Sequence, residues 1–165
     1  MNYEIIDNFL PEDDFKMIQY GIMESQNLAW YLNNFISSED DLVTNPKDYY
    51  FTHLFYADHR VRSDNFLMFE QFLTMVECKS LIRIKGNLYP STSEVVHHRD
   101  HKDYDFNHKA ALLFVNTNNG VTVLDNKIEV ESIENRVLLF DPQIPHHSTT
   151  CSDQKYRITV NFNYF

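Results

Sequence analysis

Three residues in the C-terminal half have the chemistry to hold a metal ion together. His101-Lys102-Asp103 sets a histidine and a carboxylate at i and i+2, so an extended chain sends both side chains out of the same face. His146 follows 45 residues later, just after Pro142 and Pro145. Two histidines and one carboxylate on one face of an octahedron leave three positions open, the arrangement that non-haem iron(II) oxygenases use. Arg157 lies 11 residues after His146, in the segment Arg157-Ile158-Thr159-Val160-Asn161-Phe162. Alternation sends Arg157, Thr159 and Asn161 to one face of that strand. A guanidinium on so apolar and β-branched a strand is costly to bury without an anion. A dicarboxylate ligand supplies the anion, and the arginine fork can grip it with two bonds. The competing role for Arg157 is an edge-strand cation facing solvent or an internal acid.

Two assignments stay open at this level. The segment His97-His98-Arg99-Asp100-His101-Lys102-Asp103 holds two overlapping His-x-Asp pairs, and an offset of three residues reverses the face of an extended chain, so only one pair can point into a common site. Choosing His98 and Asp100 would put Arg99 beside the metal, where a fixed positive charge disfavours a divalent cation. His101 and Asp103 are therefore preferred, with His97 and His98 at the rim or behind the ligands. His147 competes with His146. Spacing to Arg157 favours His146 and turns His147 to the other face. His108 reads as a surface group or a support for the ligands, and His53 and His59 carry no pattern.

The rest of the chain must position these groups. Its 165 residues, 43% of them hydrophobic, suffice for one core of ordinary size, so a single domain spanning 1–165 is expected. The formal net charge of −10 repels polyanions and disfavours nucleic acid as a partner. No apolar run approaches the roughly 20 residues needed to cross a bilayer, and Met1-Asn2-Tyr3-Glu4 lacks a signal peptide's basic and apolar regions. Cytoplasmic residence is the expectation. Cys78 and Cys151 read as reduced thiols, too few and too far apart for a disulfide framework or a structural zinc site. Six of the eight histidines lie after residue 95, which again places the chemistry late in the chain.

Tyr3 to Ile6 suits a short strand. Pro11 followed by Glu12, Asp13 and Asp14 opens a helix running to about Ser25, with Phe15, Ile18 and Ile22 on one face. Asn33 to Tyr50 is polar and aperiodic and reads as a long loop, either a lid or a plain connection. The aromatic run Tyr49-Tyr50-Phe51 beside it suits core or edge packing, or the rim of a substrate site. A second helix is expected from Ser63-Asp64 through Phe66, Phe69, Phe72, Leu73 and Val76.

From Leu81 the texture changes to short strands: Leu81 to Leu88, Glu94 to His97, Lys109 to Val115, Val121 to Leu124, Lys127 to Val130, Arg136 to Phe140 and Tyr156 to Phe165. Asn116 to Gly120 and Asp125-Asn126 read as turns between them. Helices first and strands afterwards, without βαβ alternation, predict a mainly β fold: an antiparallel jelly roll core over about 81–165, with helical support over about 1–80.

At this point the residues resemble a known family, the iron(II)- and 2-oxoglutarate-dependent dioxygenases, in their prolyl 4-hydroxylase-like branch with its short phage and bacterial members. The resemblance runs from about Leu81 to Phe165. It is carried by Ile82-Arg83-Ile84-Lys85-Gly86-Asn87-Leu88-Tyr89-Pro90, His101-Lys102-Asp103-Tyr104, Ala111 to Gly120, Asn135 to Phe140, His146 and Arg157, with Tyr3 to Leu10 similar to the family's usual opening. It implies a double-stranded β-helix. It implies Fe(II) held by His101, Asp103 and His146, with 2-oxoglutarate as cosubstrate alongside O2 and ascorbate as a candidate stimulant. Arg157 matches the residue that binds the distal carboxylate of 2-oxoglutarate, Thr159 a hydroxyl that assists it, and Tyr89 a tyrosine that reaches the cosubstrate. Asn116 and Asn161 belong to the same pattern, in turn or supporting roles. The implied reaction is hydroxylation of a small-molecule or peptide or protein substrate, with succinate and CO2 as coproducts. The carboxylate of Asp103 leaves no ligand position for a halide, which favours hydroxylation over halogenation. Two other readings compete: a cupin-like metal barrel that consumes no 2-oxoglutarate, and a structural jelly roll with incidental histidines. Neither the substrate nor the oligomeric state is legible.

Overall fold

Alternation along two central strands decides the architecture. The computed structural model describes residues 3–34 and 49–165. Its larger sheet runs in the order β1 (Tyr3–Ile6), β9 (Val137–Phe140), β6 (Lys109–Phe114), β11 (Tyr156–Tyr164), β5 (Leu81–Pro90), β3 (Tyr50–Ala57), β2 (Tyr31–Asn33), with β4 (Arg60–Val61) paired to β3. A smaller sheet runs β10 (His146–Ser148), β7 (Asn118–Leu124), β8 (Ile128–Ser132). The neighbouring strands in both sheets pair antiparallel. This is the expected mainly β jelly roll.

Strand β11 is buried along nearly its whole length, yet its two faces differ in kind. Ile158, Val160 and Phe162 join the core beneath the helices, together with Phe15, Ile18 and Ile22 of α1 (Glu12–Met23). Phe162 lies flat on Phe72 with ring centroids 3.9 Å apart and meets Phe69 edge-on at 5.3 Å. The opposite face carries Arg157, Thr159, Asn161 and Asn163, all buried. A second apolar cluster (Ala110, Leu112, Phe114, Leu124, Val130, Leu138, Phe140) fills the space between the two sheets. The polar face of β11 thus opens into the interior of the roll.

Several expectations are corrected. The second helix is two pieces, a 3-10 helix at Asp64–Phe69 and α2 (Glu70–Met75), with Ser63 Oγ accepting from the Asn65 amide. Phe66, Phe69 and Phe72 recur at intervals of three, the 3-10 period, which brings them onto one face. The N-terminal half is not purely helical support: β2, β3 and β4 lie there, and β3 pairs with β5. Its aromatic and β-branched sequence fits a half-buried pleat better than a loop edge. Asn33 and Tyr50, the ends of the expected loop, are partners in the β2–β3 ladder; residues 35–48 lie outside the described residues. The strand expected at Glu94 to His97 is replaced by isolated bridges, His97 with Thr149 and His101 with His146. Asn118 to Gly120 belong to β7 and not to a turn. The Asn118 side chain donates to the Asn116 carbonyl and accepts from the Gly120 amide, and the register slips there. The Asp125-Asn126 turn is as expected, with φ of 51° and 52°. Among the described residues, no helix is long and apolar enough to cross a membrane.

Candidate metal centre

His101 and His146 meet because their backbones pair: each amide donates to the other's carbonyl, at 2.9 and 3.0 Å. Asp103 then curls beneath them. One ligand atom from each of His101, Asp103 and His146 falls within a set no wider than 4.8 Å, close enough for one ion to replace the space between them. His146 Nδ1 is 2.8 Å from the Ile144 carbonyl. A carbonyl only accepts, so Nδ1 carries a proton and Nε2 is the nitrogen left to face a metal. Burial and the neighbouring His146 push His101 down to about 4, so it is a neutral donor at physiological pH.

Burial alone would raise the Asp103 carboxyl, but the Arg83 guanidinium, His146 and a bond from Asn163 outweigh it and hold it well below the usual carboxylate range. Arg83 Nη2 reaches Oδ1 at 3.0 Å, while Asn161 and Asn163 donate to Oδ2 at 3.1 and 2.8 Å. His108 Nε2 lies 3.1 Å from Asn163 Nδ2, so it supports the set from behind. This donor chemistry, two imidazoles and one ionised carboxylate, fits a divalent first-row metal.

The competing residues go elsewhere. Asp100 pairs with His147 Nδ1 at 2.7 Å and accepts from Asn126, while His147 Nε2 faces His97 Nδ1 at 3.1 Å. His98 bonds Ser148 Oγ and stacks on Tyr89. None of the four joins the cluster of His101, Asp103 and His146.

A narrow cavity between the sheets runs past this cluster, lined by Tyr50, Lys85, Asn87, Tyr89, His101, Leu112, Thr122, Phe140, His146, Thr159 and Asn161 among others. Tyr89 and Thr159 thus stand on its wall. Arg157 lies just behind, with no exposure to solvent. Its Nε donates to Ser132 Oγ at 2.8 Å and its Nη2 to Thr122 Oγ1 at 2.7 Å, while its guanidinium carbon sits 5.5 Å from the centre of the Tyr89 ring. No carboxylate among the described residues pairs with it. Burial pushes it down to about 10, so it remains a cation at neutral pH. Asn116 clamps β11 by donating to the Tyr156 carbonyl and accepting from the Ile158 amide, the supporting role expected of it.

The close approach of β7 to Arg157 requires glycine. A Cβ on Gly120 would stand 2.5 Å from the Thr150 carbonyl oxygen and 2.6 Å from Arg157 Cδ. Gly120→Ala is expected to cost about 1–3 kcal/mol, the scale of overpacking a filled core, measured by urea denaturation. An unchanged unfolding midpoint would show that Arg157 is not packed against β7 as described.

Sequence reasoning missed Arg83, Lys85 and Asn163. The signal was present in Ile82-Arg83-Ile84-Lys85, where alternation puts both cations on the face shared with Tyr89.

No protein-family model and no curated protein sequence matches the chain. Solved structures do. A prolyl hydroxylase from Trichoplax adhaerens, in complex with a hypoxia inducible factor peptide fragment, aligns over 99% of this chain and 83% of its own, at 14% identity and a TM-score of 0.66. A viral collagen prolyl hydroxylase from Paramecium Bursaria Chlorella virus-1, in a 2-oxoglutarate complex, covers 99% and 95% at 12% identity and a TM-score of 0.59. HygX from Streptomyces hygroscopicus, with nickel, 2-oxoglutarate and hygromycin B bound, covers 98% and 82% at 11% identity and a TM-score of 0.64. The fold of this chain is that of the prolyl hydroxylase-like 2-oxoglutarate oxygenases.

Proposed function

We propose that the chain is an iron(II)- and 2-oxoglutarate-dependent oxygenase that hydroxylates its substrate, with His101, Asp103 and His146 as the metal ligands. The observation that carries this is one juxtaposition: a convergent set of two histidines and a carboxylate beside a cavity, and behind the same cavity a fully buried arginine that no carboxylate among the described residues neutralises. A metal barrel that consumes no dicarboxylate has no use for Arg157 there, and a structural jelly roll has no use for either group.

Each residue has a task that follows from its surroundings. Asp103 stays ionised because Arg83, Asn161 and Asn163 hold it, so no proton competes with the metal for its oxygens. His101 presents a neutral imidazole, and His146 holds Nδ1 on the Ile144 carbonyl and so leaves Nε2 for the metal. Arg157 fixes the distal carboxylate of 2-oxoglutarate, with the Thr159 hydroxyl and the Tyr89 ring completing that end of the cavity. Leu112 and Phe140 keep its wall apolar, which strengthens the charge contacts inside. Bound in this site, iron(II) with 2-oxoglutarate and O2 supplies the oxidising chemistry that places a hydroxyl on a C–H bond, releasing succinate and CO2. A small molecule or a peptide is the substrate class this reading supports, since neighbours of the same fold hold one or the other.

Purified protein given iron(II), ascorbate and O2 is expected to convert 2-oxoglutarate to succinate slowly even without its substrate. Succinate is measured by chromatography against a metal-free control. Folded, iron-loaded protein that forms none above that control would contradict the proposal.

A further inference from the structure

Along β5 the residues facing the interior are Arg83, Lys85, Asn87 and Tyr89, and their partners on β11 are Asn163, Asn161, Thr159 and Arg157. The cations on this face are Arg83, Lys85 and Arg157. Arg83 is paired with Asp103. Lys85 and Arg157 have no carboxylate partner among the described residues. In a chain whose net charge is −10, two unpaired cations around one narrow interior space are not accounted for by composition.

Under the functional reading above, on which this inference rests, 2-oxoglutarate neutralises only one of them. One of its carboxylates goes to the metal and the other to Arg157, which leaves Lys85. Lys85 stands opposite Asn161, the residue that holds Asp103, and so lies at the level of the metal ligands, while Arg157 lies two inward positions further along. The Lys85 ammonium sits 5.7 Å from the centre of the Tyr50 ring, also on the cavity wall. This cation shares the cavity wall with His101 and His146.

A second observation points to the same ligand. Asn161 Nδ2 is committed to the Asp103 carboxylate, which can only accept, so the orientation of the amide is fixed and its Oδ1 is the free atom. That oxygen is buried, lines the cavity and has no hydrogen-bond partner among the described residues; Asn87 Oδ1 is likewise buried and unpartnered there, with Asn87 Nδ2 3.5 Å from Thr159 Oγ1. The cavity therefore offers a cation for an anionic group and unpartnered acceptors for a nitrogen-bound proton. Burial, reinforced by Arg83 and partly opposed by the Asp103 carboxylate, pushes Lys85 down to about 8, so it still carries its charge at neutral pH.

We propose that Lys85 anchors the carboxylate of the primary substrate and that Asn161 and Asn87 accept from its amino group, so that the substrate is a small free amino acid and not an interior residue of a polypeptide. A residue within a peptide chain has no free α-carboxylate for Lys85 and no α-ammonium for Asn161.

The test uses the full chain loaded with iron(II) and 2-oxoglutarate under nitrogen, titrated calorimetrically with the twenty free L-amino acids. Each is matched with its primary amide, which removes the carboxylate, and with its N-acetyl derivative, which removes the ammonium. At least one free amino acid is expected to bind ten or more times tighter than both derivatives. In Lys85→Met and Lys85→Gln the preference over the amide falls below twofold, while 2-oxoglutarate affinity changes less than threefold. The proposal is overturned if no free amino acid binds, if acid and amide bind alike, or if the Lys85 variants lose 2-oxoglutarate, which would assign Lys85 to the cosubstrate. Failure of the wild-type chain to bind 2-oxoglutarate at the loading step is a different result: it removes the oxygenase reading, and this inference falls with it.

Discussion

Asp103→Ala is expected to abolish specific iron(II) binding, whereas Asp100→Ala leaves most of it. The contrast is sharp because both aspartates follow a histidine by two residues and only their surroundings differ. Asp103 is enclosed by Arg83, Asn161 and Asn163 and lies 4.0 Å from His101 Nε2. Asp100 is exposed and committed to His147 and Asn126. Removing Asp103 takes away the only anionic ligand of the set and strands the Arg83 guanidinium beside the site, where its charge repels a divalent ion. Breaking one partner of a buried pair also costs about 3–5 kcal/mol of stability. Asp103→Asn, which keeps the volume and one of the two acceptor oxygens, therefore accompanies it. Iron affinity is read by competition with a chromophoric chelator. Affinity that survives at Asp103 and collapses at Asp100 would show that the register assigned here is wrong.

Arg157→Ala should weaken 2-oxoglutarate by about 2–4 kcal/mol, the scale of a buried charge-assisted pair, or roughly 30- to 900-fold, with iron still bound. The guanidinium is already oriented by Ser132, Thr122 and the Tyr89 ring, so little further ordering is needed when an anion arrives. Arg157→Lys retains the charge but not the fork that those hydroxyls hold, and an intermediate loss is expected. Anaerobic titration of each variant with 2-oxoglutarate gives the comparison. An unchanged dissociation constant in Arg157→Ala would reduce Arg157 to a packing residue and leave its buried charge without a purpose.

The parts of the fold that were legible in the sequence are those where one period dominates. Phe15, Ile18 and Ile22 mark the core face of α1, and Arg157, Thr159 and Asn161 alternate with Ile158, Val160 and Phe162 along β11. The convergence of the candidate metal ligands was legible because His101 and Asp103 are close in sequence and His146 is set by its distance from Arg157. The parts that were not legible depend on pairing across the chain. His101 and Asp103 lie on no regular strand; a bridge to His146 positions the first and three donors from β5 and β11 position the second. Nor does local pattern reveal that β3 borders β5 and brings Tyr50 to the cavity, because Tyr49-Tyr50-Phe51 looks the same at an edge, in a core or at a rim. Asn118 to Gly120 carries turn residues, yet the side chain of Asn118 satisfies the local backbone and lets the segment continue as a bulged strand.

The most direct measurement is an anaerobic titration of the metal-free wild-type chain, first with iron(II) and then with 2-oxoglutarate, followed in the visible range. A metal held by His101, Asp103 and His146 with 2-oxoglutarate chelated beside it gives a weak charge-transfer band that saturates at one equivalent of each. Iron binding without that band, or a band that survives unchanged in Asp103→Ala, would contradict the site proposed here.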